Sequence, residues 1–124
     1  MHIPEDLRYT EDHEWARIDG DIATIGITDF AQSELGDIVY VELPELGTTT
    51  EKSQSFGTIE AVKAVSDLFA PLTGEVVEVN SNISDSPEII NKDPYGEGWF
   101  IKVKLSDPNE VNTLLEKTQY EALL

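Results

Sequence analysis

The strongest constraint on this chain is the stretch Phe56-Gly57-Thr58-Ile59-Glu60-Ala61-Val62-Lys63-Ala64-Val65-Ser66-Asp67-Leu68-Phe69-Ala70-Pro71. Apolar and polar residues alternate on both sides of a short break, which predicts two strands meeting at a tight turn. Lys63 sits at that turn. The whole chain has eight Lys+Arg against 25 Asp+Glu, yet the immediate neighbours of Lys63 are the uncharged Val62 and Ala64. A cation at a hairpin tip with small apolar flanks is an amine offered to a modifying enzyme. Taken locally, an idle solvated lysine is the commoner reading, because lysines at turns are ordinary.

The wider pattern changes that balance. The lysine segment continues through Gly74 and Asn80. Before it stand Asp12-His13-Glu14-Trp15, Ala23-Thr24-Ile25-Gly26-Ile27-Thr28-Asp29 and Gly36-Asp37-Ile38-Val39-Tyr40-Val41-Glu42-Leu43-Pro44. After it comes Ile90-Asn91-Lys92-Asp93-Pro94-Tyr95-Gly96-Glu97-Gly98-Trp99. This ordered set, spanning about Tyr9 to Leu124, resembles the glycine cleavage system H protein family. The family usually has Ser where this chain has Ala61, a small-for-small change.

The resemblance implies a mainly β fold, the barrel-sandwich hybrid of lipoyl and biotinyl carriers: two small antiparallel sheets with short flanking and C-terminal helices. It implies lipoate held covalently on Lys63, and a carrier, not an enzyme. A pyridoxal-phosphate glycine decarboxylase loads an aminomethyl group onto the arm, and a tetrahydrofolate-dependent aminomethyltransferase unloads it. An FAD-containing dihydrolipoyl dehydrogenase reoxidises the dithiol, and a lipoate ligase or lipoyltransferase attaches the arm. Glu14 and Asp67 match positions lining a cleft that shelters the arm; the alternative is two solvated surface acids. Asp12 stands where family members often have Ser, and Glu34 where some have His.

Rival readings are weighed on the same lysine. Biotin carriers usually flank theirs with Met on both sides, and acyl carriers of 2-oxo-acid dehydrogenases place Asp before it. Val62 and Ala64 fit neither. A lipoyl relay or interaction module outside glycine cleavage stays open.

Composition bounds the rest. With 124 residues, one carrier domain over 1–124 is expected, with the lysine hairpin at about 56–71 and a helical tail at about 107–124. There is no Cys, hence no disulfide and no thiol of the chain's own to exchange with a dithiolane. The net charge of −17 repels phosphate backbones and anionic lipid, so no nucleic-acid or membrane partner is expected and basic partner faces are the complement. No signal peptide or membrane span is legible. A monomer is expected, in a bacterial cytoplasm or, after removal of a transit peptide, in the mitochondrial matrix. His2 and His13 have no metal-ligand spacing and read as surface or packing residues.

Along the chain, a short edge strand is expected near Arg8-Tyr9, and a hairpin about Asp19-Gly20. Thr28 or Asp29 caps a short helix with Gln32 available for a capping box, and Gly36 closes it. A turn of helix follows Ser86-Pro87-Glu88. Asp107-Pro108-Asn109-Glu110 and Thr118-Gln119-Tyr120-Glu121 predict two helix starts in the tail. Gly36-Asp37-Ile38-Val39-Tyr40-Val41-Glu42 and Gly74-Glu75-Val76-Val77-Glu78-Val79-Asn80 echo each other, which suggests two quasi-equivalent halves with the lysine turn at their junction.

Overall fold

A computed structural model describes residues 2–124. Nine strands lie among them: β1 (Arg8–Tyr9), β2 (Glu14–Asp19), β3 (Ile22–Ile27), β4 (Ile38–Glu42), β5 (Thr49–Thr50), β6 (Ser55–Ala61), β7 (Val65–Phe69), β8 (Gly74–Val79) and β9 (Ile101–Leu105). They form a six-stranded sheet, β1-β2-β3-β9-β8-β5, and a three-stranded sheet, β4-β6-β7, with every pairing antiparallel. The fold is the expected mainly β barrel-sandwich, although its sheets are unequal.

The alternation read from the sequence explains the core. One face of β3 supplies Ala23, Ile25 and Ile27, all buried, while Ile22 and Thr24 on the other are half-buried. Ile25, Ile27, Ile101 and Val103 from the large sheet, with Phe100 just before β9, pack against Val41, Ile59 and Leu68 from the small one. A second cluster joins Tyr9, Trp15 and Tyr120, with the two tyrosine rings stacked at 4.7 Å. That stack ties the C-terminal helix to the first strands.

The internal echo has a structural counterpart. β4 bulges against β6 between Ile38 and Tyr40, and β8 bulges against β9 between Val76 and Glu78. Aligned on Gly36 and Gly74, the extra residue is Val39 in one half and Val77 in the other, and both are exposed. A bulge at the same register position in both copies is a conformational repeat as well as a sequence one.

The local predictions hold with shifts. The first hairpin turns over Gly20 and Asp21, because Asp19 is still paired with Ile22; Gly20 takes the left-handed φ of +63°. Helix α1 (Asp29–Leu35) is capped by Thr28, whose hydroxyl accepts from the Ala31 N–H, while Gln32 bonds the Asp29 carboxylate and forms no box. Helix α2 (Ser81–Asp85), capped by Asn80, has no counterpart in the sequence reading. Helix α3 (Ile89–Lys92) follows the Pro87 turn.

In the tail, residues Pro108–Thr113 form a 3-10 helix. Glu110 does not reach back to its cap; it accepts from Thr73 N at 2.6 Å and from Thr73 Oγ1. Helix α4 (Lys117–Glu121) starts two residues earlier than expected. Its capping box pairs Glu116 with Gln119, and Thr118 lies inside it.

Candidate functional site

Lys63 stands where the sequence predicts, at the tip of the β6–β7 hairpin. The turn is closed by a bond from Ala61 N to Ala64 O at 2.7 Å, and Val62 N donates to Asp37 O at 3.0 Å. No residue of the turn has positive φ, so it needs no glycine. Lys63 is exposed, and Val62 and Val65 are 76% and 67% exposed. No ion pair among the described residues involves Lys63. Its aliphatic chain rests against Gly36: a Cβ added there would lie 3.3 Å from Lys63 Cε. Gly36 has φ +79° and ψ −156°, a conformation open to glycine and little else.

Beside this hairpin runs a groove of about 340 Å³ between α1 and β7. Phe30 and Leu35 of α1, with Ile27, Ile59 and Leu68, make its walls apolar. Four carboxylates open onto it: Asp12, Glu14, Glu34 and Asp67. The two acids expected at an arm cleft, Glu14 and Asp67, therefore share one groove, and the two other positions singled out in the sequence join them.

Their environments differ. Asp67 is exposed on β7, whereas Glu14 is 2% exposed. Glu14 Oε1 accepts from Thr10 Oγ1 at 2.7 Å, and Oε2 accepts a long bond from Phe69 N at 3.4 Å. No cation among the described residues pairs with it. Burial drives its pKa from the usual carboxylate range up to about 8; the two donors pull the other way and the Asp12 charge adds to the rise. In the free chain at neutral pH, Glu14 is therefore mainly a neutral acid.

His13, expected at the surface or in packing, is half-buried and also lines the groove. Its φ is +69°, in a turn where His13 N donates to Thr10 O and Thr28 N donates to His13 O. Nδ1 is 2.8 Å from Tyr120 Oη, which in turn meets Thr28 Oγ1 at 2.7 Å. Burial lowers the His13 pKa, so the ring favours its neutral form. Sequence reasoning missed Phe30, Ala31 and Leu35 as groove residues; all three line the groove, and Ala31 and Leu35 also pack against the core.

Comparison with known proteins bears on the same residues. The family model described as glycine cleavage H-protein matches residues 7–124. A glycine cleavage system H protein from Anaeromyxobacter sp. (strain K) is 56% identical over 124 residues, covering 100% of this chain and 97% of that protein. One from Bacteroides thetaiotaomicron is 52% identical over 124 residues, covering 100% and 98%. The crystal structure of a glycine cleavage system H protein from Mycobacterium marinum superposes with a TM-score of 0.89 at 44% identity, covering 97% of both chains. Matches of this extent, over a fold and lysine hairpin of the expected form, show that the chain belongs to the glycine cleavage system H protein family.

Proposed function

We propose that this chain, a lipoyl carrier protein of glycine cleavage, bears its lipoate as an amide on Lys63 and serves its partners as a substrate, not as a catalyst. The observation that carries the reading is an exposed, ion-pair-free Lys63 on a braced hairpin, beside an apolar groove with one buried acid. These residues fit the group. The amine is accessible for acylation, which removes its charge. The apolar walls suit a hydrocarbon arm, and Glu14 suits a cationic end. When bound, the lipoyl group supplies a disulfide that accepts a carbanion or is reduced to a dithiol.

The chain's own residues then hold and shield. Ile59, Leu68 and Leu35 offer the arm apolar walls. Glu14 would pass its proton to an entering amine, leaving a carboxylate beside an ammonium, with Asp67 adding charge at the rim. Asp67 lies on β7, four residues beyond Lys63, so the groove lies along the hairpin that carries the amine. The partners are glycine decarboxylase, aminomethyltransferase and dihydrolipoyl dehydrogenase, with a lipoate ligase or lipoyltransferase for attachment. Residues 1–124 act as one monomeric carrier domain, in a bacterial cytoplasm or a mitochondrial matrix.

The test is modification itself. Incubation with lipoate, ATP and a lipoate–protein ligase should add one lipoyl group by intact mass, mapped to Lys63, and none to Lys63→Arg. Lipoylation at another lysine overturns the assignment.

A further inference from the structure

Asn91, in α3, lies far in sequence from the lysine, and nothing so far gives it a task. Its side chain is half-buried and uses its donors and acceptor on one short segment. Nδ2 donates to Gly36 O at 2.9 Å and to Gln32 Oε1 at 3.0 Å. Oδ1 accepts from Ile38 N at 2.9 Å. These bonds bracket Asp37, whose carbonyl receives the Val62 N–H, one residue from the lysine. The same bonds hold Gly36, against which the Lys63 chain rests.

We propose that Asn91 is a positioning residue for Lys63. It clamps Gly36, Asp37 and Ile38 into a ledge that braces the lysine turn, and so sets the direction in which the amine is presented for acylation. The reasoning is geometric. Gly36 N bonds back to Gln32 O, so the end of α1 is anchored to its own helix. Among the described residues, no other side chain hydrogen-bonds the backbone of Gly36, Asp37 or Ile38: Asp37 is exposed, and register with β6 begins only at Ile38, opposite Ala61. Without Asn91, the Gly36 carbonyl and the Ile38 N–H lose their partner together. The Asp37 carbonyl that fixes Val62 then loses its bracing on both sides. Misplacing a reacting group by about 1 Å is enough to cost about 100-fold in rate.

This inference rests on Lys63 being the acylated residue, and the experiment separates the two. Lipoylation of wild type, Asn91→Ala and Asn80→Ala by a lipoate–protein ligase is followed as initial rate against carrier concentration. Asn80 is the control: buried, bonded to Glu97 O and Trp99 O, with its side chain making no hydrogen bond to Gly36, Asp37 or Ile38 among the described residues. A variant that is merely part-unfolded presents less competent carrier, which raises the apparent KM and leaves kcat unchanged. Loss of positioning lowers kcat at saturating folded carrier. The expected result is a kcat about tenfold lower for Asn91→Ala with little change in KM, and an unchanged kcat for Asn80→Ala. Hydrogen exchange of the Val62 amide should quicken in Asn91→Ala and not in Asn80→Ala. If Asn91→Ala does not fold, Asn91→Ser, smaller but still polar, carries the same measurement. Wild-type modification away from Lys63 overturns the functional reading. Wild-type modification at Lys63 with kcat unchanged in the Asn91 variants overturns this one, as does a wild-type Val62 amide that exchanges like a free peptide.

Discussion

Gly26 lies directly opposite Trp15 in the β2–β3 ladder, and a Cβ placed on it would fall 2.7 Å from the indole ring. Trp15 is fully buried and donates Nε1–H to Pro94 O at 3.0 Å, so the ring cannot swing aside without abandoning that bond. Gly26→Ala should therefore destabilise the fold by about 1–3 kcal/mol through overpacking. Urea unfolding followed by tryptophan fluorescence measures it. A midpoint equal to that of wild type would mean that the ring relaxes freely.

The stability of the chain should carry the signature of Glu14. Its folded pKa is about 8, and the ordinary value is 4.5. Below pH 4.5 both folded and unfolded forms hold the proton, and stability is indifferent to this group. Between the two values the unfolded chain releases the proton and the folded chain keeps it, so stability falls as pH rises, and it levels off above pH 8. The integrated effect is on the order of 5 kcal/mol. Other carboxylates titrate near the lower limit, so the difference between wild type and Glu14→Gln isolates the contribution. That difference should slope through pH 5–8; a flat difference refutes a neutral Glu14.

The same acid should govern how long the loaded carrier survives alone. An amine bound through a methylene to sulfur decomposes when its nitrogen lone pair expels the thiolate, and protonation blocks that route. An ionised Glu14 beside the amine favours the protonated form; each pKa unit added to the amine means tenfold less of the reactive neutral species. Glu14→Ala should fold and accept lipoate, yet release ammonia and formaldehyde about tenfold faster without the transferase. Decay of the loaded species by mass spectrometry at neutral pH decides the matter. Equal rates would remove Glu14 from this role.

Charge should steer encounter. At a net charge of −17, association with basic partner faces should weaken as ionic strength rises. The Michaelis constant for this chain as a substrate of glycine decarboxylase should rise between low and physiological salt, with turnover changing less. A constant that does not move would assign recognition to uncharged contacts.

What could be read in advance followed from how local each cause is. The lysine hairpin was legible because its alternation and its break are written in consecutive residues, and β6 and β7 together span Ser55–Phe69 where a hairpin at about 56–71 was expected. The caps were legible in kind but not in place. Glu110 is drawn to Thr73, 37 residues away in sequence, and Glu116 takes the cap that Thr118 was expected to hold. A tertiary partner outbids the local one at Glu110, and nothing in the neighbouring letters announces it; at Glu116 one local box, with Gln119, displaces the box expected from Thr118. Glu14 and Asp67 were reached through family likeness, not physics: the groove needs α1 and β7 side by side, a packing no periodicity encodes. Neither could residue order show that Glu14 is buried and Asp67 exposed, nor that Asn91 bonds to a segment more than 50 residues away.

The glycine-free turn at Val62 and Lys63 has one more consequence. Its backbone has few alternatives, so anything tethered to the lysine starts from a fixed anchor and its freedom belongs to the tether. A chain on a fixed anchor explores a sphere set by its own length, and each site inside that sphere sees it at an effective concentration fixed by that length. The carrier's groove and a partner's active site then compete for the same tethered end. The partner's apparent affinity is scaled by the fraction of time the end spends outside the groove. A tighter groove would protect its cargo better and surrender it less readily, so the few side chains lining it set the balance between storage and delivery.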